Sequence, residues 1–380
     1  MKFRAGFLVI VFLVSTAAPT AAVDPAIQEL IDKAGLKSTP TERGQLDTVG
    51  FVTTAGQMDA VLEQCRILAA PRHQAILSEY GWREDTPFIA AVCPHDDYYY
   101  AGRLYELVMP HIKAKRVIIF GVFHKARYFD TRERLVFGSF EKWHGPYGPV
   151  AVSPLRDEII QRLPGIDYLI DNTAHIVEHS VEAIVPFLQA HNRKVEIIPI
   201  LVPYLRWQPM DRISDDLAQA IASLMREKGW RLGEDICLIS SADAIHYGDA
   251  GWGGSNYAEF GTDWAGYRLA VRRDLALAAE NLCGPVEADK LKNFLYSCVD
   301  PGDVTQYKIT WCGRFSIPLG LGVAFRLAAI LEGRPLTGYL LDYGTSVSEA
   351  SLEVEGLSGL GPTAPNNYHH FVGYPALGYR

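Results

Sequence analysis

The chain has 380 residues, 48% of them hydrophobic and 21% charged, with a formal net charge of −8. That is ample material for a large buried core. The acidic balance, with no run of like charge, argues against a nucleic-acid partner, which usually needs a basic face.

In chain order, the first segment reads "MKFRAGFLVIVFLVSTAAPTAAVD". Basic Lys2 and Arg4 precede an apolar run from Phe7 to Ala18 and then small residues. This is the layout of a secretory signal peptide over residues 1–22, cleaved after Ala22. An uncleaved anchor helix is the alternative, but the run is short for a membrane span, and no cysteine stands at the cleavage point for a lipid. The expectation is an exported protein, periplasmic or secreted, with no stable membrane anchor after signal cleavage. Export would permit disulfides, and Cys283 with Cys298 could close a local loop. The six cysteines show no CxxC or CxxH spacing, so they are not a zinc-ribbon set.

Residues 58–70, "MDAVLEQCRILAA", predict an amphipathic helix, and "PFIAAVC" (87–93) a fully buried strand. A helix over 102–112 and a second buried strand, "RVIIFGVF" (116–123), follow. "SPLRDEIIQRL" (153–163) opens with a Ser cap and an early Pro. Residues 179–191 read as a helix bent or restarted at Pro186. A strand over 195–203, a helix over 211–229 ended by Gly229, and the strand "ICLISSAD" (236–243) come next. A Gly- and aromatic-rich connection over 246–267 is long, as functional loops often are. Helices near 268–297 and 320–332 and strands near 336–345 and 371–379 complete the chain. Short strands alternating with helices predict an α/β fold with a largely parallel or mixed central sheet, in one domain spanning residues 23–380.

Polar signals gather at the strand ends. "CPHDDYYYAG" follows the strand 87–93, "GVFH" ends the strand 116–123, and "SSADAIH" ends the strand 236–243. "WCGRFSI" follows "YKIT" at 307–310. Ligand sites of open parallel sheets lie outside the carboxyl ends of their strands. His95, His124, Asp243, His246 and Cys312 can therefore share one crevice, with Glu178 and His179 added from a helix start. Two imidazoles and a thiolate suit Fe(II), Cu or Zn with positions left open. A further His beside an Asp suits acid/base work. For each residue alone, a packed core histidine or a small buried thiol is the plainer account. In "HDDYYY", one of Asp96 and Asp97 is expected to cap the next helix, and at least two of the three tyrosines to pack.

The ordered motifs "PHDDYYYAG", "GVFH", "GPYGPVAV", "EHSVEAIVPFL", "SSADAIHYG", "CGRFSI", "YGTS" and "FVGY" resemble the Memo family over roughly residues 45–375. Its bacterial members are called AmmeMemoRadiSam system protein B. The family is similar in fold to class III extradiol dioxygenases, which implies a three-layer sandwich with helices on both sides of the sheet. The resemblance implies a metal set of His95, His124 and Cys312, with the thiolate in place of the dioxygenases' carboxylate. It implies catalytic roles for His246, with Asp243 beside it, and a pocket position for His179. The family's usual "PHAGY" is here "PHDDY", Lys125 replaces a second histidine after His124, and Ala242 enters "SSADAIH". Asp96 or Asp97 could thus itself ligate.

These readings favour a mononuclear non-haem metalloprotein, a dioxygenase-like oxidoreductase using Fe(II) or Cu, with Zn the less expected ion, on a small-molecule, phenolic substrate. A non-catalytic metal- or ligand-binding protein and a metal-dependent hydrolase stay open beside it. The sequence does not fix an oligomeric state.

Overall fold

In the strand Arg116–Val122, Val117 and Ile119 pack into one apolar core while Ile118 and Phe120 pack into another. A strand buried on both faces cannot show polar alternation, which is why it reads as a continuous apolar run. The computed structural model describes residues 25–34, 38–249, 251, 256–349, 352, 354, 357 and 359–380. The expected leader, residues 1–22, lies outside them, as does part of the connection 246–267. No described helix is long and apolar enough to cross a membrane.

The centre of the sheet is parallel, in the order Val150–Val152, Glu196–Val202, Arg116–Val122, Ile236–Ser241, Ala90–Cys93. His370–Tyr379 adds antiparallel to Ala90–Cys93, and Thr337–Thr345 adds antiparallel beyond it. Helices Trp207–Lys228, Trp264–Asn281, Ala288–Cys298 and Ser316–Glu332 contribute to the core on one face. Helices Ala55–Tyr80, Tyr98–Val108 and Val185–His191 contribute to the core on the other. The fold is a mixed α/β sheet flanked by helices, as expected.

Several local expectations need correction. The helix expected over 58–70 runs from Ala55 to Tyr80, through Pro71. Thr54 and Gln57 form a capping box at its start. Pro71 is exposed and Ile67, whose carbonyl loses its donor, is 66% exposed, so the missing bond falls on the solvent side of the helix. The single helix near 268–297 is two, parted by the short strand Gly284–Pro285. Ser153 does not cap its helix, because its hydroxyl donates to Glu196 Oε2 at 2.8 Å. Residues 307–310 form no strand, only an isolated bridge at Tyr307. Cys283 and Cys298 are free thiols, like the other four cysteines.

Neither aspartate of "HDDYYY" caps the helix that follows. Asp97 holds the N-cap position, but its carboxylate takes the Thr363 hydroxyl instead. Asp96 accepts from the Asp97 N–H at 2.8 Å and from the Tyr374 hydroxyl at 2.5 Å. Of the tyrosines, Tyr98 and Tyr100 are buried, their hydroxyls donating to the carbonyls of Ala183 and Ala364.

Candidate metal centre

Three parallel strands end beside one another and deliver the polar residues. Pro94 stops the ladder of Ala90–Cys93, and His95 follows it. The His95 ring is set by two bonds: the Ser241 hydroxyl donates to the Ser180 carbonyl at 2.6 Å, and His95 Nδ1 lies 2.9 Å from the Ser241 hydroxyl oxygen. With the hydroxyl proton spent, Nδ1 must be the donor, which leaves Nε2 of His95 with its lone pair. The His95 backbone N–H donates to Asp243 Oδ1 at 2.9 Å, and Nε2 lies 3.3 Å from Asp243 Oδ2.

His124 follows the strand Arg116–Val122. Its Nδ1 donates to Glu178 Oε1 at 2.9 Å, so Nε2 is again the free ligand atom. That Nε2 stands 3.3 Å from Cys312 Sγ. Glu178 also accepts the backbone N–H groups of His124, His179 and Ser180 at 2.7, 2.9 and 2.9 Å. Burial raises its pKa, but the His124 imidazole and these bonds outweigh it and hold the carboxyl well below the usual range. The segment bearing Glu178 lies close on the strand because residue 121 is glycine. A Cβ there would meet Val181 Cγ2 at 2.6 Å and Ser180 Oγ at 2.9 Å.

Cys312 opens a single 3-10 turn, Cys312–Arg314, before the helix Ser316–Glu332. Its Sγ lies 3.0 Å from His246 Nε2. Burial and then Asp243 push its thiol pKa well up. His246 starts the short strand His246–Gly248, which pairs with His370–Tyr379. Burial, reinforced by His124, lowers its pKa to about 3, so it is neutral near pH 7. Burial likewise lowers His95 and raises Asp243. His179 is opposite in sign. Burial disfavours its charge, yet Asp47, with Oδ2 at 2.7 Å from Nδ1, and Glu178 raise its pKa to about 9.

The ligand atoms of His95, His124 and Cys312 all lie within 4.8 Å of one another. So do those of Asp243, His246 and Cys312, and those of His124, Glu178 and His179. Two donors about 2.0–2.3 Å from one tetrahedral ion stand about 3.3–3.8 Å apart, and the His124 Nε2 to Cys312 Sγ spacing meets that. The donor set, with both imidazoles turned to present Nε2, fits a mononuclear ion. A cavity of about 250 Å³ opens onto this cluster, walled by His124, His246, Cys312, Tyr204, Tyr307 and Arg314.

All seven residues expected in the crevice, Glu178 and His179 included, therefore fall together. Asp96 and Asp97 point to Tyr374 and Thr363, and neither belongs to a metal-competent group among the described residues. Sequence reasoning missed Ser241, Asp47 and Arg314. Ser241 stood within the quoted "SSAD" and its strand position could have revealed it; no local pattern marks Asp47.

A family model described as Memo-like protein matches residues 54–354. Among curated relatives, a MEMO1 family protein of Methanothermobacter thermautotrophicus is 31% identical over 161 residues, 41% of this chain and 53% of that protein. Another, from Thermococcus kodakarensis, is 30% identical over 190 residues, 48% of this chain and 60% of its own. A third, from Aquifex aeolicus, is 25% identical over 259 residues, covering 68% and 78%. The chain thus spans about half the length of the first and three fifths of the second. With most of its length matched by one family model, the chain belongs to the Memo-like protein family.

Proposed function

We propose that this chain is an exported mononuclear non-haem metalloprotein, with His95, His124 and Cys312 as ligands, acting as a dioxygenase-like oxidoreductase on a small phenolic molecule. The observation that carries the metal site is the orientation of two imidazoles: Ser241 and Glu178 each take an Nδ1 proton, leaving Nε2 as the ligand atom of both, with that of His124 3.3 Å from the Cys312 sulfur. Carboxylate-oriented histidine is the usual outer-shell support of a metal ligand.

A bound Fe or Cu ion would supply redox chemistry toward dioxygen, and a thiolate ligand would tune its potential relative to a carboxylate. The remaining roles belong to this chain's side chains. His246 Nε2, 3.0 Å from Sγ and on the cavity wall, is placed to take or return a substrate proton. Asp243 holds the His95 backbone and so fixes the turn after the strand. His179, paired with Asp47, supplies positive charge beside the rings of His95 and His124, at centroid distances of 5.7 and 5.0 Å.

The test is elemental analysis of the mature protein purified without chelators, wild type beside Cys312→Ser. The expected result is about one Fe or Cu per chain, lost in the variant, with oxygen uptake on catechols. One zinc per chain and turnover without oxygen would replace the redox reading with hydrolysis. No metal in the wild type would refute the site.

A further inference from the structure

We propose that the substrate of this cavity is an anion and that Arg314 is the residue that binds its charged group. The inference rests on the cavity being the substrate pocket, as proposed above, and adds the chemical class of the ligand.

Arg314 reaches the cavity wall from the turn that carries Cys312. Its Nη1 donates to the Trp311 carbonyl at 2.6 Å, which fixes the guanidinium plane. Its Nε is shielded from solvent and has no hydrogen-bond partner. No carboxylate lies within ion-pair distance of it among the described residues, whereas three other buried or half-buried arginines hold carboxylates. Arg43 has Glu182, Arg103 has Asp342 and Glu349, and Arg326 has Asp211. Among the described residues Nη2 makes no hydrogen bond, so it is the donor left for an oxygen of a carboxylate or phosphoryl group in the cavity.

Aromatic rings surround the same side chain. Its Cζ lies 3.8 Å from the centroid of Tyr307 and 5.4 Å from that of Phe315. Tyr204 meets Phe315 edge-on, with centroids 5.7 Å apart, and its hydroxyl lies 3.4 Å from that of Tyr307. Among the described residues no acidic side chain lines this cavity. An unpaired cation beside aromatic walls selects a flat ring bearing a negative group, and a cavity of about 250 Å³ limits the ligand to one such ring. Arg314 touches none of the three proposed metal-ligand atoms, so charge recognition and metal binding are separable.

The test is a fluorine-NMR titration of the purified protein with 4-fluorobenzoate, 4-fluorophenyl phosphate and neutral 4-fluorobenzamide, with metal content measured on the same samples. Wild type is expected to bind at least one of the two anions about tenfold or more tightly than the amide. Arg314→Gln should lose that preference at unchanged metal content, and Arg314→Lys should recover part of it. Tighter binding of the phosphate than the benzoate would assign a phosphoryl group, and the reverse a carboxylate; both uphold the arginine. Equal binding of anion and amide by wild type, or an anion preference that survives in Arg314→Gln, would overturn the proposal. A sample without metal that still binds anions through Arg314 would refute the metal reading and leave this one standing.

Discussion

Histidines gather beyond both ends of the strand Ala90–Cys93. Before its start, His111 stacks on Phe88 with centroids 4.5 Å apart, donates from Nδ1 to the Thr86 carbonyl at 2.8 Å, and meets His73 with its Nε2 at 3.2 Å. Beyond its end, His95 and His124 stand with centroids 5.2 Å apart and face a thiol. The first pair satisfies itself: one imidazole donates, the other accepts, and no sulfur or carboxylate completes a set among the described residues. In the second, Ser241 and Glu178 have taken both Nδ1 protons, leaving the Nε2 lone pair of His124 at the Cys312 sulfur and that of His95 beside Asp243, and a thiol completes a metal-competent set. Proximity of histidines is thus common to both ends, and what separates them is the groups that fix the tautomers.

The sharpest way to break this comparison is to move metal between the ends. Cys312→Ser should abolish stoichiometric binding, while His73→Ala should leave metal content as in wild type. Metal analysis that found the reverse would place the ion at the wrong end.

The supports of the two ends should also differ in stability. Arg43 is buried beneath the second cluster, where it pairs with Glu182 and donates to the carbonyls of His175 and Glu178 at 2.9 and 2.6 Å. Arg43→Met leaves Glu182 buried without its cation and is expected to cost about 3–5 kcal/mol in urea unfolding. Arg66, 55% exposed in its pair with Glu106 near the first cluster, should cost about 1 kcal/mol or less on the same change. Equal losses would mean that the region under Glu178 is not specially braced. A smaller effect is expected from Glu178→Gln. The amide cannot accept at both atoms, so His124 loses its orienting partner and metal affinity should fall about 10–100-fold, read by competition with a chelator. Unchanged affinity would show that the His124 tautomer is set by something else.

These supports mark where the sequence stopped being readable. Arg116–Val122 and Glu196–Val202 were legible because strands buried on both faces are continuous apolar runs, and the helix Trp207–Lys228 because Gly229 takes the left-handed cap. His95, His124 and Asp243 followed from strand ends. Cys312 was placed there by the same reasoning, although the stretch before it, residues 307–310, forms no strand. Arg43 was passed over in a polar N-terminal stretch, because its partners His175 and Glu182 lie 132 and 139 residues away. Disulfide pairing of Cys283 and Cys298 failed for a related reason: sequence separation carries no information on where two side chains point.

The smallest effect concerns the acid side of the first cluster. Burial lowers the His111 pKa to about 4; the Thr86 carbonyl opposes this, while His73, Lys113 and Arg380 add to it. In the unfolded chain the same imidazole titrates near 6.5. Between those values the unfolded state binds the extra proton, so stability is full above pH 6.5 and falls as the pH drops toward 4, by up to about 1.4 kcal/mol per unit. Other buried histidines, His175 among them with its pKa near 3, slope in the same direction, so the wild-type curve alone does not isolate the residue. His111→Phe does. The phenyl ring keeps the stack on Phe88 but leaves the Thr86 carbonyl without its donor, so the variant should be less stable than wild type at pH 7 by about 1–3 kcal/mol. It has no proton to gain, so that gap should shrink at pH 5.5 and shrink further or reverse at pH 4.5. Urea unfolding in chelator keeps metal loss at the other cluster out of the measurement. A constant gap across the three pH values would mean that His111 is not held neutral by its surroundings. The satisfied pair at this end of the strand would then need another account.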